Sequence, residues 1–149
     1  MVTRYKKILV GIDGSDQALN ALHRAIDLAQ ALDASLLLVT VVDNRAIAMA
    51  ISNTGNYVMA PNLRDDLMAN ASATMDKFVA EVKEAGIPYK TKVYTGDHKL
   101  ELAENLPKDE NIDAIVIGAT GQSRMERVFI GSTASYIMNN AKCDVIIVK

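Results

Sequence analysis

The stretch Asp113-Ala114-Ile115-Val116-Ile117-Gly118-Ala119-Thr120-Gly121 decides the fold, because it joins a buried strand to a glycine-bearing loop. The β-branched run that ends at Ile117 is typical of a strand covered on both faces, as in a parallel sheet. Nine residues separate Gly121 from Gly131-Ser132-Thr133, where a helix over residues 132–140 is predicted to begin. Glycines let the backbone approach a ligand closely, and a helix start presents unpaired N–H groups to anions. The segment therefore predicts a phosphate-binding loop.

The same alternation of strand and helix extends outward over the chain. Short apolar runs predict further strands over residues 8–12, 36–42, 89–95 and 145–148. Helical spacing of apolar residues predicts helices from the N-cap Ser15 to residue 32, from just after residue 62 to Gly86, and from Asp97 to near Pro107. Residues 43–61 have a poor pattern and are predicted to be a loop, in which residues 46–51 could form a short helix.

Strands that alternate with helices predict a parallel sheet, because parallel neighbours need long crossover connections. The expected fold class is therefore α/β, a doubly wound five-stranded parallel sheet with helices on both faces, in a single domain of 149 residues. Lys90 and Lys92 alternate with other residues along strand 89–95, which is typical of an exposed edge. Ligands of such sheets bind beyond the carboxyl ends of the strands, where the strand order reverses. If the first and fourth strands are neighbours, the site comprises Ile12, Asp13 and the loop after Ile117.

Composition and charge exclude several partners and compartments. The formal net charge is -2 and the basic residues form no stripe, so we expect no nucleic-acid partner. No apolar run reaches the length of a membrane span, and the run after the basic start stops at Asp13, too short for a signal peptide. Cys143 is the single cysteine, which fits a reducing compartment, and with His23 and His98 it makes no obvious zinc site. We therefore expect a cytoplasmic protein without membrane contact.

The glycine loop matches neither of the two best-known phosphate motifs. A Walker A loop requires G-x-x-x-x-G-K-[ST], and no lysine follows Gly121 or Gly131. The dinucleotide fingerprint G-x-G-x-x-G is absent, and the turn after the first strand reads Gly11-Ile12-Asp13-Gly14 instead. The loop thus combines the physical features of an anion site in a different spacing.

The spacing Gly118-x2-Gly121-x9-Gly131-Ser132 resembles the ATP-binding signature of the universal stress protein family. Residues 7–15, 41–43 and 143–148 resemble the family's first strand and turn, the end of its second strand and its last strand. Three glycines alone are a weak signal, but in register with these flanks they extend the resemblance over essentially the whole chain. The resemblance implies an adenine nucleotide alpha hydrolase-like fold and ATP as the ligand, with or without Mg2+.

The resemblance also implies roles for individual residues. Asp13 would lie beside adenine and ribose, and the backbone of Val41 would contact adenine. The phosphates and ribose would be surrounded by Gly118, Gly121, Gly131, Ser132 and Thr133. The fold argument adds the strand ends Ile12 and Ile117, and Arg124 is a further candidate within the loop.

Each of these residues also has a purely structural interpretation. The glycines could simply turn the chain, Ser132 could only cap the last helix, and Asp13 could merely begin an Asp-Gly turn. Arg124 is more readily a solvated loop charge than a phosphate contact. His98 is predicted to be exposed in the first turn of the third helix, and a catalytic role would need a partner carboxylate that the sequence does not identify.

Four functions follow from these alternatives. The first is a small regulator of the stress response that binds ATP and hydrolyses it slowly or not at all. The second is a Mg2+-dependent ATPase or phosphotransferase, for which Asp13 could hold the metal but no base is evident. A flavin carrier is disfavoured by an aromatic content of 5% without tryptophan, and a member that binds no nucleotide is disfavoured by the intact glycines. The apolar last strand, if it lies at a sheet edge, predicts a homodimer joined along Val145 to Val148.

Overall fold

The structure, a computed structural model, describes residues 4–54, 60–120 and 130–149. Its strands are β1 (Lys7–Gly11), β2 (Ser35–Asp43), β3 (Tyr89–Gly96), β4 (Ala114–Gly118) and β5 (Asp144–Val148). Its helices are α1 (Asp16–Leu32), α2 (Asn44–Thr54), α3 (Ala60–Ala85), α4 (His98–Leu100), α5 (Leu106–Asp109) and α6 (Ser132–Asn140), and a π-helical segment (Glu101–Asn105) joins α4 to α5. The strands confirm their predicted positions to within one residue at each end.

All five strands are parallel and lie in the order β3-β2-β1-β4-β5. Strand β1 is central, and Leu9 is level with Leu37 of β2 on one side and with Ile115 of β4 on the other. The chain builds one half of the sheet before it crosses to the other, so the strand order reverses between β1 and β4. This confirms the predicted five-stranded parallel sheet and places β3 and β5 at its edges.

The two faces of the sheet build two separate cores. On one face, Val10 of β1 shares a core with Leu22 of α1 and Val82 of α3. On the other face, Ile115 of β4 shares a core with Ile137 of α6. All five side chains are fully buried, so each face is stabilised by apolar burial against its own helices. The prediction of helices on both faces is confirmed.

Helix α1 begins at a side-chain cap. Ser15 has extended backbone, and its Oγ accepts a hydrogen bond from the N–H of Ala18 at 3.0 Å. The predicted N-cap is therefore confirmed. At the other end, Asp33 has left-handed backbone with a φ of 56° and donates its N–H to the carbonyl of Ala29, which ends the helix.

Helix α3 is the longest helix, with 26 residues. It ends just before Gly86, whose φ of 72° favours glycine and confirms the predicted stop. Met75, Phe78 and Val82 bury one side of this helix in the first core. Among the described residues, no helix combines the length and the apolarity that a membrane crossing requires.

Two stretches differ from their predicted structure. Residues 44–54 form α2, so the prediction of a loop with a short helix over 46–51 was wrong in extent. Asp43 explains the earlier start, because its Oδ1 accepts the N–H of Arg45 at 2.8 Å and satisfies an N–H group of the first turn. Helical backbone also continues through Pro107 to Asp109 instead of ending there. Pro107 lies in the first turn of α5, where a helix does not need the missing N–H.

Candidate functional site

A cavity of about 810 Å³ opens at the carboxyl edge of the sheet, where the strand order reverses. Its wall comprises the ends of β1, β2 and β4, the first residue of α4 and the first turn of α6. The volume lies within the range of small-molecule sites, roughly 300–1,000 Å³. A second cavity, at the opposite edge of the sheet, measures only about 120 Å³. The larger cavity is therefore the candidate site, in the place where doubly wound sheets bind ligands.

The structure brings the described candidate residues together around this cavity. Its lining includes Ile12, Asp13, Val41, Ile117, Gly118, Gly131, Ser132 and Thr133. Gly121 and Arg124, which the sequence also nominates, lie outside the described residues. The lining also includes residues that the sequence did not nominate for binding, among them Asp43, His98, Ala119 and Thr120.

Asp13 organises the turn between β1 and α1. Its Oδ1 accepts hydrogen bonds from the backbone N–H of Ser15 at 3.0 Å and from the Ser15 hydroxyl at 2.6 Å. Gly14 lies between them with a φ of 80°, a conformation that favours glycine. Asp13 therefore has the structural role of holding an Asp-Gly turn, and its exposed side chain also lines the cavity.

Thr40 joins the end of β1 to β2. Its hydroxyl donates to the carbonyl of Ile12 at 2.8 Å, and the N–H of Ile12 donates to the carbonyl of Val39 at 2.8 Å. Both main-chain polar groups of Ile12 are thus satisfied within the protein, and this residue contributes apolar surface to the cavity. Val41, with a half-buried side chain, extends the same apolar wall.

Gly118 is required by the packing of β4 against α1. A Cβ at this position would lie 3.0 Å from the carbonyl carbon of Gln17 and 3.1 Å from its oxygen. The N–H of Thr120, two residues on, donates to Oε1 of Gln17 at 2.6 Å. Gly118 therefore permits a close approach of two chain segments as well as lining the cavity. Nothing in the pattern of α1 singles out Gln17, so the sequence missed its role in fixing the start of the loop.

The amino end of α6 opens on the cavity. Gly131 occupies the N-cap position and provides no side-chain cap, and its own N–H donates to the carbonyl of Ala119 at 2.6 Å. The first N–H groups of a helix have no partner within it and form a positive dipole end. In this first turn, Ser132 is exposed and Thr133 is half-buried. The helix start is thus suited to an anion, with two hydroxyl groups beside it.

His98 is not exposed, so that prediction was wrong. Its side chain is 26% accessible, and its Nδ1 lies 2.8 Å from Oδ2 of Asp43. Its Nε2 forms a hydrogen bond of 2.8 Å with the hydroxyl of Thr133. Asp97 caps α4 as predicted, which sets the direction of its first turn. Asp43, at the end of β2, is therefore the carboxylate nearest to this ring nitrogen among the described residues, although Nδ1 forms no hydrogen bond with it.

Tyr94 lies on β3, beside the part of the cavity wall that β2 forms, and it carries a neutral hydroxyl group. It is level with Val41 in the sheet, and its hydroxyl donates to Glu101 at 2.9 Å. Burial, together with this hydrogen bond, raises the pKa of Tyr94 well above its ordinary value. The phenol therefore stays protonated at physiological pH and adds no negative charge near the cavity.

Comparison with known proteins identifies the family. Residues 4–149 match the model of the universal stress protein family. A universal stress protein of Methanocaldococcus jannaschii is 32% identical over 145 residues, which cover 97% of this chain and 82% of the relative. The solved structure of universal stress protein UspA from Lactobacillus plantarum is 33% identical, has a TM-score of 0.84, and is matched over 99% of this chain and 100% of that chain. A universal stress protein solved in complex with cAMP is 25% identical, with a TM-score of 0.70 over 98% of each chain. The chain belongs to the universal stress protein family.

Proposed function

We propose that this protein is a cytoplasmic regulator of the stress response that binds an adenine nucleotide, ATP foremost, in the cavity at the carboxyl edge of the sheet. The observation that carries the proposal is the amino end of α6, which forms part of the cavity wall. Its N-cap residue, Gly131, has no side chain that could cap the first N–H groups. Phosphate groups are the natural partners of such a helix start. Ile12 and Val41, at the ends of the neighbouring strands β1 and β2, provide apolar surface that suits the adenine base.

The similarity to the universal stress protein in complex with cAMP supports the choice of an adenine nucleotide. ATP extends that choice, because the first turn of α6 offers several backbone N–H groups together with the hydroxyls of Ser132 and Thr133. The cavity volume of about 810 Å³ leaves room for a polyphosphate chain. Asp13 at the rim is the carboxylate that would hold Mg2+ if the cation accompanies the phosphates.

Identification of the copurifying small molecule tests the proposal directly. The protein is purified without added nucleotide and denatured, and the released molecules are identified by mass spectrometry. We expect ATP or another adenine nucleotide, and calorimetric titration of the emptied protein with ATP should show saturable binding. A flavin in the extract, or no ATP binding in the titration, would contradict the proposal.

A charge placed at the start of α6 tests the location of the phosphates. Ser132→Asp adds a carboxylate at an exposed position that favours acidic residues, so the fold should be kept or slightly stabilised. The same carboxylate should repel bound phosphates and weaken ATP binding by about tenfold or more. The matched control is Asn139→Asp, which adds the same charge near the far end of this helix, also at an exposed position. Equal affinities of the two variants would show that the phosphates bind elsewhere.

A more drastic change at the N-cap residue probes the loop itself. A Cβ at Gly131 would lie 3.2 Å from the carbonyl oxygen of Ala119, so a larger side chain must displace the segment that faces the cavity. We expect Gly131→Val to abolish ATP binding while circular dichroism still reports the native helix and strand content. Unchanged affinity in this variant would mean that the loop assignment is wrong.

We also propose that two copies pair through β5. This strand lies at a sheet edge, and Val145 to Val148 are apolar and only half-buried. An edge strand of this kind presents unpaired backbone groups to a second chain. Light scattering at micromolar concentration should therefore give twice the chain mass of 16.1 kDa. A single-chain mass would contradict pairing.

A further inference from the structure

The smaller cavity lies at the amino edge of the sheet, where β1, β2 and β3 begin and where the chain turns from α5 into β4. Its floor is apolar, because Leu36, Leu37 and Ile112 line it and are each at most 7% exposed. Its volume of about 120 Å³ is close to the roughly 150 Å³ of an engineered apolar cavity that holds a benzene ring. The cavity therefore suits an apolar group of the size of one ring or a short acyl chain.

Three lysines project from the face of the sheet on which this cavity opens. Lys90 and Lys92 of β3 are level with Leu37 and Val39 of β2, which belong to the core beneath α6. Lys7 lies two residues before the residue of β1 that enters the same core. Side chains two positions apart on a strand, and those level with them on a neighbouring strand, point to the same face. The fold thus gathers these ammonium groups at one rim.

The charges at this rim do not balance. Among the described residues, Glu110 is the only carboxylate that lines the cavity. Nζ of Lys92 lies 2.9 Å from its Oε1, and Nζ of Lys7 donates to its backbone carbonyl at 3.2 Å. Lys92 first, and then Lys7 and Lys90, hold the pKa of Glu110 below its ordinary value, so this carboxylate is ionised. Lys90 is exposed and forms no ion pair with another described residue, which leaves a surplus of positive charge beside the apolar floor.

The backbone of the floor offers little to a polar ligand. The N–H of Leu36 donates to the carbonyl of Pro88 at 3.0 Å, and the N–H of Ile112 donates to the carbonyl of Pro107 at 2.9 Å. Both donors are therefore used within the protein. A ligand that fits this cavity would place an apolar body on the floor and a negative group at the lysines of the rim.

We propose that this cavity binds a small carboxylic acid in its ionised form, one with a single ring or a short acyl chain. The carboxylate lies between the ammonium groups of Lys90 and Lys7, and the apolar body lies against Leu36 and Leu37. This site is at the edge of the sheet opposite the nucleotide cavity, so the proposal does not rest on nucleotide binding.

A titration with benzoate, followed by two-dimensional NMR of the protein labelled with nitrogen-15, tests the site. Sodium chloride holds the ionic strength constant, because free salt screens exposed charges. We expect saturable shifts of the N–H signals of Leu37, Lys90 and Ile112, with a Kd on the order of 1–10 mM for so small a ligand. The signals of Gly131 and Thr133 should not move. Shifts at those two residues in place of the first three, or no saturable shift at all, would overturn the proposal.

Three matched probes separate the charge from the apolar body. Benzyl alcohol keeps the ring without the charge, benzylamine reverses the charge, and acetate keeps the carboxylate without the ring. Each should bind at least about fivefold more weakly than benzoate, because each lacks one of the two contacts. Equal binding of benzyl alcohol or benzylamine would show that the lysines do not select the ligand. Equal binding of acetate would show a plain anion surface, and either result would overturn the proposal.

A variant of the exposed lysine tests its role without disturbing the fold. Lys90→Gln should leave the rest of the spectrum native and raise the Kd for benzoate at least about threefold. The matched control is Lys77→Gln, which removes the same charge at an exposed position of α3, on the other face of the sheet. Its Kd should equal that of the unaltered protein. Equal affinities of the two variants would overturn the assignment of the carboxylate to Lys90, and with it the proposed site.

Discussion

Oε1 of Gln17 accepts a hydrogen bond from the backbone N–H of Thr120 at 2.6 Å. This contact ties the first turn of α1 to the start of the loop that follows β4. The loop therefore leaves the sheet in a direction that is set by α1, and not by its own residues alone.

Removal of this contact should loosen the site. Gln17→Ala leaves the part-buried N–H of Thr120 without its partner, which costs about 1–2 kcal/mol of unfolding free energy. We expect a melting temperature lower by about 2–4 °C for each kcal/mol, and weaker ATP binding because the loop loses its anchor. Differential scanning calorimetry and ATP titration measure the two effects.

The control for Gln17→Ala is Gln30→Ala on the same helix. The amide of Gln30 is exposed and makes only a 3.5 Å contact with the carbonyl of Ala85, so its removal should change the melting temperature by less than about 2 °C. Equal effects of both variants would show that the loop contact does not explain the loss, because alanine favours a helix more than glutamine does.

A methyl group at Gly118 should destabilise the fold. The Cβ would lie 3.0 Å from backbone atoms of Gln17, which cannot move without shifting α1. We expect Gly118→Ala to lower the free energy of unfolding by about 1–3 kcal/mol in urea denaturation. Gly96→Ala is the matched strand control, because a Cβ there meets only side chains at 3.5–3.8 Å and should be tolerated. A neutral Gly118→Ala would contradict the packing argument.

The cap of α1 should contribute measurably to stability. Ser15→Ala removes the acceptor of the Ala18 N–H and also the hydroxyl that donates to Asp13. Loss of a serine cap costs about 1 kcal/mol, which corresponds to a melting temperature lower by about 2–4 °C. Ser52→Ala serves as control, since Ser52 is exposed inside α2 and its hydroxyl only donates to the carbonyl of Ala48. The prediction fails if the two variants melt together.

Cys143 should react slowly with alkylating reagents. Burial raises the pKa of the Cys143 thiol above its ordinary value, so at pH 8 the folded protein holds less of the reactive thiolate than a free cysteine peptide does. We expect the rate of iodoacetamide modification, followed by intact mass, to rise at a higher pH than for the peptide. Denaturation should restore the peptide rate. Equal pH profiles of folded protein and peptide would contradict the effect of burial.

Local patterns were sufficient to predict the sheet. The apolar run that ends at Ile117 and the helical spacing of α1 and α3 are properties of neighbouring residues, and burial in the two cores follows them directly. Helix α2 was missed in extent because the apolar residues of the stretch 43–61 have a poor pattern, from which periodicity cannot predict a helix. The glycines of the cavity were visible in the sequence, but the sequence did not show why residue 118 must be a glycine. The reason is that the backbone of Gln17, which is distant in the sequence, packs closely against it.

The contacts that complete the site could not be predicted. Gln17 and Thr120 are 103 positions apart, and His98 and Thr133 are 35 apart. Such pairs depend on where each side chain points after the sheet has formed, which no periodicity encodes. The topology does place the end of β2 near the starts of α4 and α6 at one edge, so a polar residue at each of these three positions was the available signal.

The two edge strands of the sheet, β3 and β5, differ in charge and polarity, and this difference limits how copies of the protein can assemble. Strand β3 carries Lys90 and Lys92, and Lys92 forms an ion pair with Glu110 at 2.9 Å. Because these charged side chains are hydrated, they disfavour the pairing of a strand from a second copy with this edge. Only β5 offers an apolar margin. If two copies pair through β5, the apolar edges of both copies are buried in one symmetric contact. A growing fibre of sheets then has no apolar edge left to which a further subunit could add.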